Sequence, residues 1–217
     1  MNIKKIQQHF MLLFLLFTVF SANTYAVKYT EGKQYTQVSE IASSKAEVRE
    51  YFSFYCPHCF RFEPFMEEIK NKLPEGVSFE RNHVDFLRAA SPKIQAMLTK
   101  SVVVAEQLGM DKKLISAVFS YIHVQHAVIT SEKDVKNIFV LNGADGEKFD
   151  KLMRSFSVNS KAKSMKNHQK TMSQKRAITG VPAVIINGKY RINPQALDKN
   201  NFEQDYQSLV TYLLTLK

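Results

Sequence analysis

Between Glu47 and Tyr55 the side chains alternate, with Val48, Glu50, Phe52 and Phe54 on one face and Arg49, Tyr51, Ser53 and Tyr55 on the other. A period of two predicts a strand. The chain then turns at Cys56-Pro57, and Phe60, Phe65, Met66, Ile69 and Leu73 recur at helical spacing. Pro57 suits the first helical turn, where a missing N–H is no loss. Pro64 falls inside the same pattern and is expected to kink it. Pro74-Glu75-Gly76 closes the helix, and Val77 to Phe86 reads as a second strand. This βαβ order predicts a right-handed crossover and parallel pairing.

From Ser91 to about Arg176 the pattern changes to helix starts and stops. Ser91-Pro92, Gly109-Met110-Asp111, Ser131 with Asp134 three residues on, Gly143 to Gly146, and Ser157 mark about five helices. Val181 to Ile186 and Lys189 to Ile192 then flank Asn187-Gly188, a strong hairpin signal. A last helix, roughly 201 to 216, carries Phe202, Tyr206, Leu209, Val210 and Leu213 on one face. The pattern describes an α/β sheet domain, 27–86 and 177–217, split by a helical insertion over 87–176.

The N-terminus changes the picture, because Lys4 and Lys5 precede an apolar run from Phe10 to Phe20 and a polar stretch ending Thr24-Tyr25-Ala26. This is the layout of a cleavable signal peptide over 1–26. A membrane anchor needs about 20 apolar residues, and Ser21 and Asn23 interrupt the run before that length. Cleavage after Ala26 removes two lysines and lowers the formal charge from +10 to +8. A basic chain favours encounter with anionic partners. The densest stretch, Lys151 to Arg176, holds one Phe, Phe156, not the repeated interleaved aromatics of a nucleic-acid platform, and reads as the solvated face of a helix.

The chain has two cysteines, Cys56 and Cys59. A disulfide between them closes so short a loop that it adds little stability. Its purpose is therefore chemical. Structural zinc needs four ligands, and no second CxxC is present. Haem attachment needs His directly after the second cysteine, where Phe60 stands. His123 and His126 could share a helix face, but no partner ligand is evident and both read as surface histidines. No cofactor or metal is expected. At a strand-to-helix junction the Cys56 sulfur meets unpaired N–H groups and the positive end of a helix, which stabilise a thiolate. Cys56 is thus the attacking and attacked sulfur and Cys59, a turn later, the resolving one.

A second element, Gly180-Val181-Pro182-Ala183-Val184, opens an apolar strand with proline. Sheet chemistry alone places such a proline at a strand start, and a trans bond is the ordinary reading there. Together, Phe52-Ser53-Phe54-Tyr55-Cys56-Pro57-His58-Cys59, Gly180-Val181-Pro182-Ala183, the Asn-Gly turn and Gly32-Lys33-Gln34-Tyr35 resemble the DsbA family of periplasmic dithiol oxidases, over essentially the whole chain after residue 26. The resemblance implies a thioredoxin-like fold with an inserted helical domain. It further implies that His58 stabilises the Cys56 thiolate and that Val181-Pro182 is a cis loop beside the disulfide that helps hold substrate. Reduced or unfolded secreted proteins are the implied substrates, and a DsbB-type, quinone-linked membrane protein is the implied reoxidase. A periplasmic monomer is expected. Rival readings are a disulfide isomerase, although no separate dimerisation domain fits before the first strand, and a peptide-binding chaperone with inert cysteines.

Glu50 falls on the apolar face of its strand, where an unpaired carboxylate is costly. Arg81 falls on the inward face of the next strand and is the candidate partner. The family resembled here carries a buried Glu–Lys pair at matching positions. Arginine in place of lysine keeps its charge when buried, so proton handling near Cys59 is expected to differ, unless the two residues form only a structural pair.

Overall fold

The computed structural model describes residues 29–216, so the signal-peptide reading of 1–26 lies outside the described residues. Strand β2, Glu47–Phe52, is buried on both faces, as expected for a strand in the middle of a covered sheet. It pairs in parallel with β3, Ser78–His83, which places Glu50 opposite Arg81. On its other side it runs antiparallel to β4, Ala183–Ile186, with Glu50 opposite Val184. β5, Tyr190–Ile192, returns antiparallel to β4, and β1, Tyr35–Gln37, adds to β5 at the edge. The order is β1-β5-β4-β2-β3.

Both predicted strands are shorter than their alternation. β2 stops at Phe52 because Ser53 starts the active-site turn: its carbonyl accepts from the Cys56 amide at 3.0 Å and its hydroxyl from the Tyr55 amide at 3.2 Å. Helix α1, Pro57–Asn71, runs on past Pro64 as one continuous helix. The hairpin has the geometry its sequence requires, with φ of 53° at Asn187 and 61° at Gly188.

Five helices lie between β3 and β4: α2 (Pro92–Gln107), α3 (Asp111–His123), α4 (Glu132–Leu141), α5 (Gly146–Arg154) and α6 (Phe156–Gln174). The basic stretch from Lys151 onward belongs to two helices rather than one. Ser155 ends α5 and caps α6, its hydroxyl accepting from the Val158 amide at 3.2 Å; the expected start at Ser157 is two residues late. Nor is its face wholly solvated, for Lys161 and Lys166 meet Glu80 and Asp85 at 2.5 and 3.4 Å. Helix α7, Phe202–Thr215, packs on α1 through Phe62, Phe65, Phe202 and Tyr206. The core of the helical segment is continuous with Phe52, Phe54, Cys56 and Cys59, so the inserted helices wall the site. This is a thioredoxin-like fold with an inserted helical domain.

Candidate active site

Cys56 is the N-cap of α1, with φ −94° and ψ 113°, and Pro57 occupies the first helical position. An N-cap side chain points back over the first turn to meet its free amides. Accordingly the Cys56 Sγ accepts from the Cys59 amide at 3.3 Å. The hydrogen bond from the Cys59 thiol, helped by the Cys59 and His58 amides and by positive charge on His58, outweighs burial and draws the Cys56 thiol down to about 6. Cys59 moves the other way: burial, the hydrogen bond toward Cys56 and the charges of Cys56 and Glu50 hold it far above the ordinary thiol range. Both are free thiols here. Two sulfurs one turn apart thus divide into an acidic one at the surface end and an inert one beneath it.

His58 is exposed, with Nδ1 2.9 Å from an Arg61 terminal nitrogen. A guanidinium only donates, so Nδ1 is the acceptor in this contact.

The Val181–Pro182 bond is cis, as the family resemblance implied and the bare sheet argument did not. The Val181 carbonyl oxygen lies 3.3 Å from the Cys56 sulfur and accepts from its thiol. β4 begins directly after this loop and pairs with β2, so one sheet register brings two segments 125 residues apart against each other. Beside them opens a groove of about 600 Å³ lined by His58, Arg61, Phe62, Pro182, Ile192 and Tyr206, among others. A larger hollow of about 780 Å³ between α3 and α4, lined by Lys112, Lys113 and Asn137, holds neither cysteine.

Beneath the cysteines Glu50 and Arg81 do meet, but not as a simple pair. Arg81 Nη1 is 3.5 Å from Glu50, whereas its two terminal nitrogens hold Glu63 at 2.7 and 2.9 Å and Glu67 at 2.5 Å. All four side chains are buried. One cation cannot match three carboxylates, so a proton is held most readily by the least well bonded of them. Glu50, whose Oε1 has no partner, is pushed up to about 8 by burial and by Glu63 and Glu67, against the pull of Arg81. Sequence reasoning missed Glu63 and Glu67, although the signal was there: Cys59, Glu63 and Glu67 recur every four residues and so share one helix face.

It also misjudged His123. His126 is exposed, but the His123 ring stacks on Phe60 at 5.1 Å and 9°, and its Nε2 donates to the Phe54 carbonyl at 2.8 Å. The end of α3 is thereby fastened to the turn that carries Cys56.

A strand-to-helix dithiol facing a cis-proline loop on such a sheet defines the class of thioredoxin-like disulfide oxidoreductases. Residues 47–207 match the DSBA-like thioredoxin domain, and the chain belongs to the DsbA family of thiol:disulfide interchange proteins. It is 38% identical over 200 residues to the DsbA of Haemophilus influenzae, covering 91% of this chain and 93% of that one. With the DsbA of Escherichia coli it shares 36% over 204 residues, 91% and 93% of the two chains. Among solved structures, a DsbA of Proteus mirabilis with a non-covalently bound peptide PWATCDS superposes with TM-score 0.75 at 31% identity, covering 87% of this chain and 99% of the other. The DsbA of Pseudomonas aeruginosa gives 0.70 at 29%, with 87% and 94% covered.

Proposed function

We propose that this disulfide oxidoreductase works as a dithiol oxidase, donating its Cys56–Cys59 disulfide to reduced proteins. The observation that carries the reading is the opposed pull on the two thiols, Cys56 down and Cys59 up. A substrate thiolate attacks the Cys56 Sγ; the new bond is a substrate–Cys56 disulfide, and the Cys59 sulfur leaves with the electron pair and takes a proton. A second substrate thiolate then attacks the substrate sulfur of that bond. The substrate disulfide forms, Cys56 leaves as a thiolate, and two electrons have passed to the enzyme. Because the leaving group is acidic and stays charged, the reduced enzyme is the favoured form and the disulfide is oxidising.

In this reading Pro57 starts the helix whose amides face the sulfur. His58 adds a charge or a hydrogen bond, and Val181 and Pro182 hold the substrate backbone beside Cys56. Glu50, poised near neutrality, exchanges the proton that Cys59 takes or gives up, and Arg81 sets that poise together with Glu63 and Glu67. We assign residues 27–86 and 177–217 to the thioredoxin-like domain, 87–176 to the insertion and 1–26 to a cleaved signal peptide, with the protein acting as a monomer in the periplasm. The named relatives support thiol:disulfide interchange with substrate proteins; a DsbB-type, quinone-linked membrane partner would restore the disulfide.

The deciding experiment is the redox equilibrium of the purified protein with reduced and oxidised glutathione. An oxidase yields predominantly reduced enzyme at ratios that leave ordinary structural disulfides intact. An equilibrium that keeps Cys56–Cys59 oxidised under those ratios would overturn the reading in favour of a reductant.

A further inference from the structure

We propose that the groove beside Cys56 selects reduced polypeptide segments in which an Asp or Glu neighbours the reacting cysteine, a specificity that rests on the oxidase reading above. The groove touches both His58, two residues after Cys56, and Pro182, which follows the Val181 carbonyl that accepts from the Cys56 thiol. An extended peptide advances about 3.3 Å per residue, so a segment laid there from Cys56 brings the residues next to its cysteine into the groove.

The lining decides what those residues can be. Phe62, Pro182, Ile192 and Tyr206 make it apolar, Arg61 and Arg191 make it cationic, and no Asp or Glu lines it. Arg191 stands opposite Thr36 on β1 and Ile185 on β4, so neither neighbouring strand offers it an acid. Among the described residues Arg191 has no ion pair, and the side-chain partner of Arg61 is the His58 ring. Unmatched guanidinium groups along a concave apolar wall focus positive potential there and present paired donors that fit a carboxylate. A lysine in the same place meets repulsion. Contacts of this kind at a solvated rim are individually modest, so the two together should favour acidic over basic neighbours by about tenfold.

The test uses the oxidised protein and short peptides with two cysteines, each flanked by Glu, Gln or Lys. Oxidation of the peptide is followed by mass spectrometry, and each rate is divided by that peptide's rate with a small neutral disulfide, which removes differences in thiol acidity. Dithiothreitol, uncharged and too small to fill the groove, serves as the reference reductant. The expected result is Glu faster than Gln and Gln faster than Lys, with about tenfold between the extremes. The gap should fall toward one in 1 M NaCl and in the Arg61→Gln, Arg191→Gln double variant, and should return in the Arg61→Lys, Arg191→Lys variant. Because the Glu-to-Lys ratio is formed within each protein, any change in Cys56 reactivity cancels. Equal rates, or Lys ahead of Glu, with dithiothreitol oxidised normally would overturn the proposal alone. Failure to oxidise dithiothreitol would instead overturn the oxidase reading beneath it.

Discussion

Arg81 grips Glu63 with both terminal nitrogens, at 2.7 and 2.9 Å, while Glu50, directly opposite Arg81 across β2 and β3, stands off at 3.5 Å. The ion pair that the strand register suggests is therefore the weaker one. Removing Arg81 strands three buried carboxylates, and Arg81→Met should destabilise the protein by roughly 3–5 kcal/mol. Double-mutant cycles by urea unfolding should give a larger coupling for Arg81 with Glu63 than for Arg81 with Glu50. Replacing Arg81 and Glu63 together should cost less than the sum of the single changes. Additive effects for Arg81 and Glu63 would show that the short distances carry no energy.

Glu50 also sets a pH dependence. Its folded-state value, near 8, lies above the unfolded one, so the stability it contributes is full below about pH 4.5 and is lost as pH rises through 8. In Glu50→Gln that decline should flatten, leaving the variant less sensitive than the parent between pH 5 and 8. Unfolding free energies at several pH values check this. An unchanged slope would mean that Glu50 is ionised throughout.

Cys56 runs with the opposite sign. Its folded value, near 6, lies below the unfolded one, so the reduced protein gains stability as pH rises from about 6 toward 9 and loses it as pH falls through 6. Iodoacetamide at pH 6 should label Cys56 and spare Cys59, and Cys56→Ser should abolish the pH-dependent gain. Labelling of Cys59 first would reverse the assignment of the two sulfurs.

The causes of that low value can be ranked. The thiol hydrogen bond from Cys59 comes first and the charge of His58 last. Cys59→Ala should therefore raise the thiolate midpoint of Cys56 more than His58→Ser does, although both should raise it and the latter should make the disulfide less oxidising. Ultraviolet thiolate titration measures both variants. A larger shift in His58→Ser would mean that the charge of His58 outweighs the hydrogen bond from Cys59.

His123 offers a mechanical test. His123→Phe keeps a ring over Phe60 but loses the bond to the Phe54 carbonyl, at a cost of about 1 kcal/mol, whereas His123→Ala loses the stacking as well, about 1 kcal/mol more. Urea unfolding should rank the parent above Phe and Phe above Ala. Equal stability of all three would show that the end of α3 does not hold the turn.

What could be read from the sequence was what is local. β2, α1 and β3 announce themselves by period, the Asn187-Gly188 turn by its two residue types, and the dithiol by its place at a strand-to-helix junction. What could not be read depended on distant partners. β1 has three residues and exists because Tyr190–Ile192, far along the chain, lies beside it. Glu63 and Glu67 resemble solvated helix positions until Arg81 arrives from the neighbouring strand, and His123 looks like a surface histidine until Phe54 presents a carbonyl to it. Ser155 splits the basic helix because its hydroxyl caps the next one, and Ser157 two residues on offers the same chemistry, so composition alone could not choose between them.

The 125-residue gap between Cys56 and Val181 has a consequence for how the protein is made. Synthesis delivers the dithiol early, and the loop and strand that lie against it come only after all five inserted helices. Contacts across so long a stretch form late in folding. A nascent chain that has reached α6 carries a Cys-Pro-His-Cys segment with neither the Val181 carbonyl nor β4 against it. The wall that faces the dithiol is thus the last part of the site to be assembled, and unfinished chains present the two cysteines on an open side.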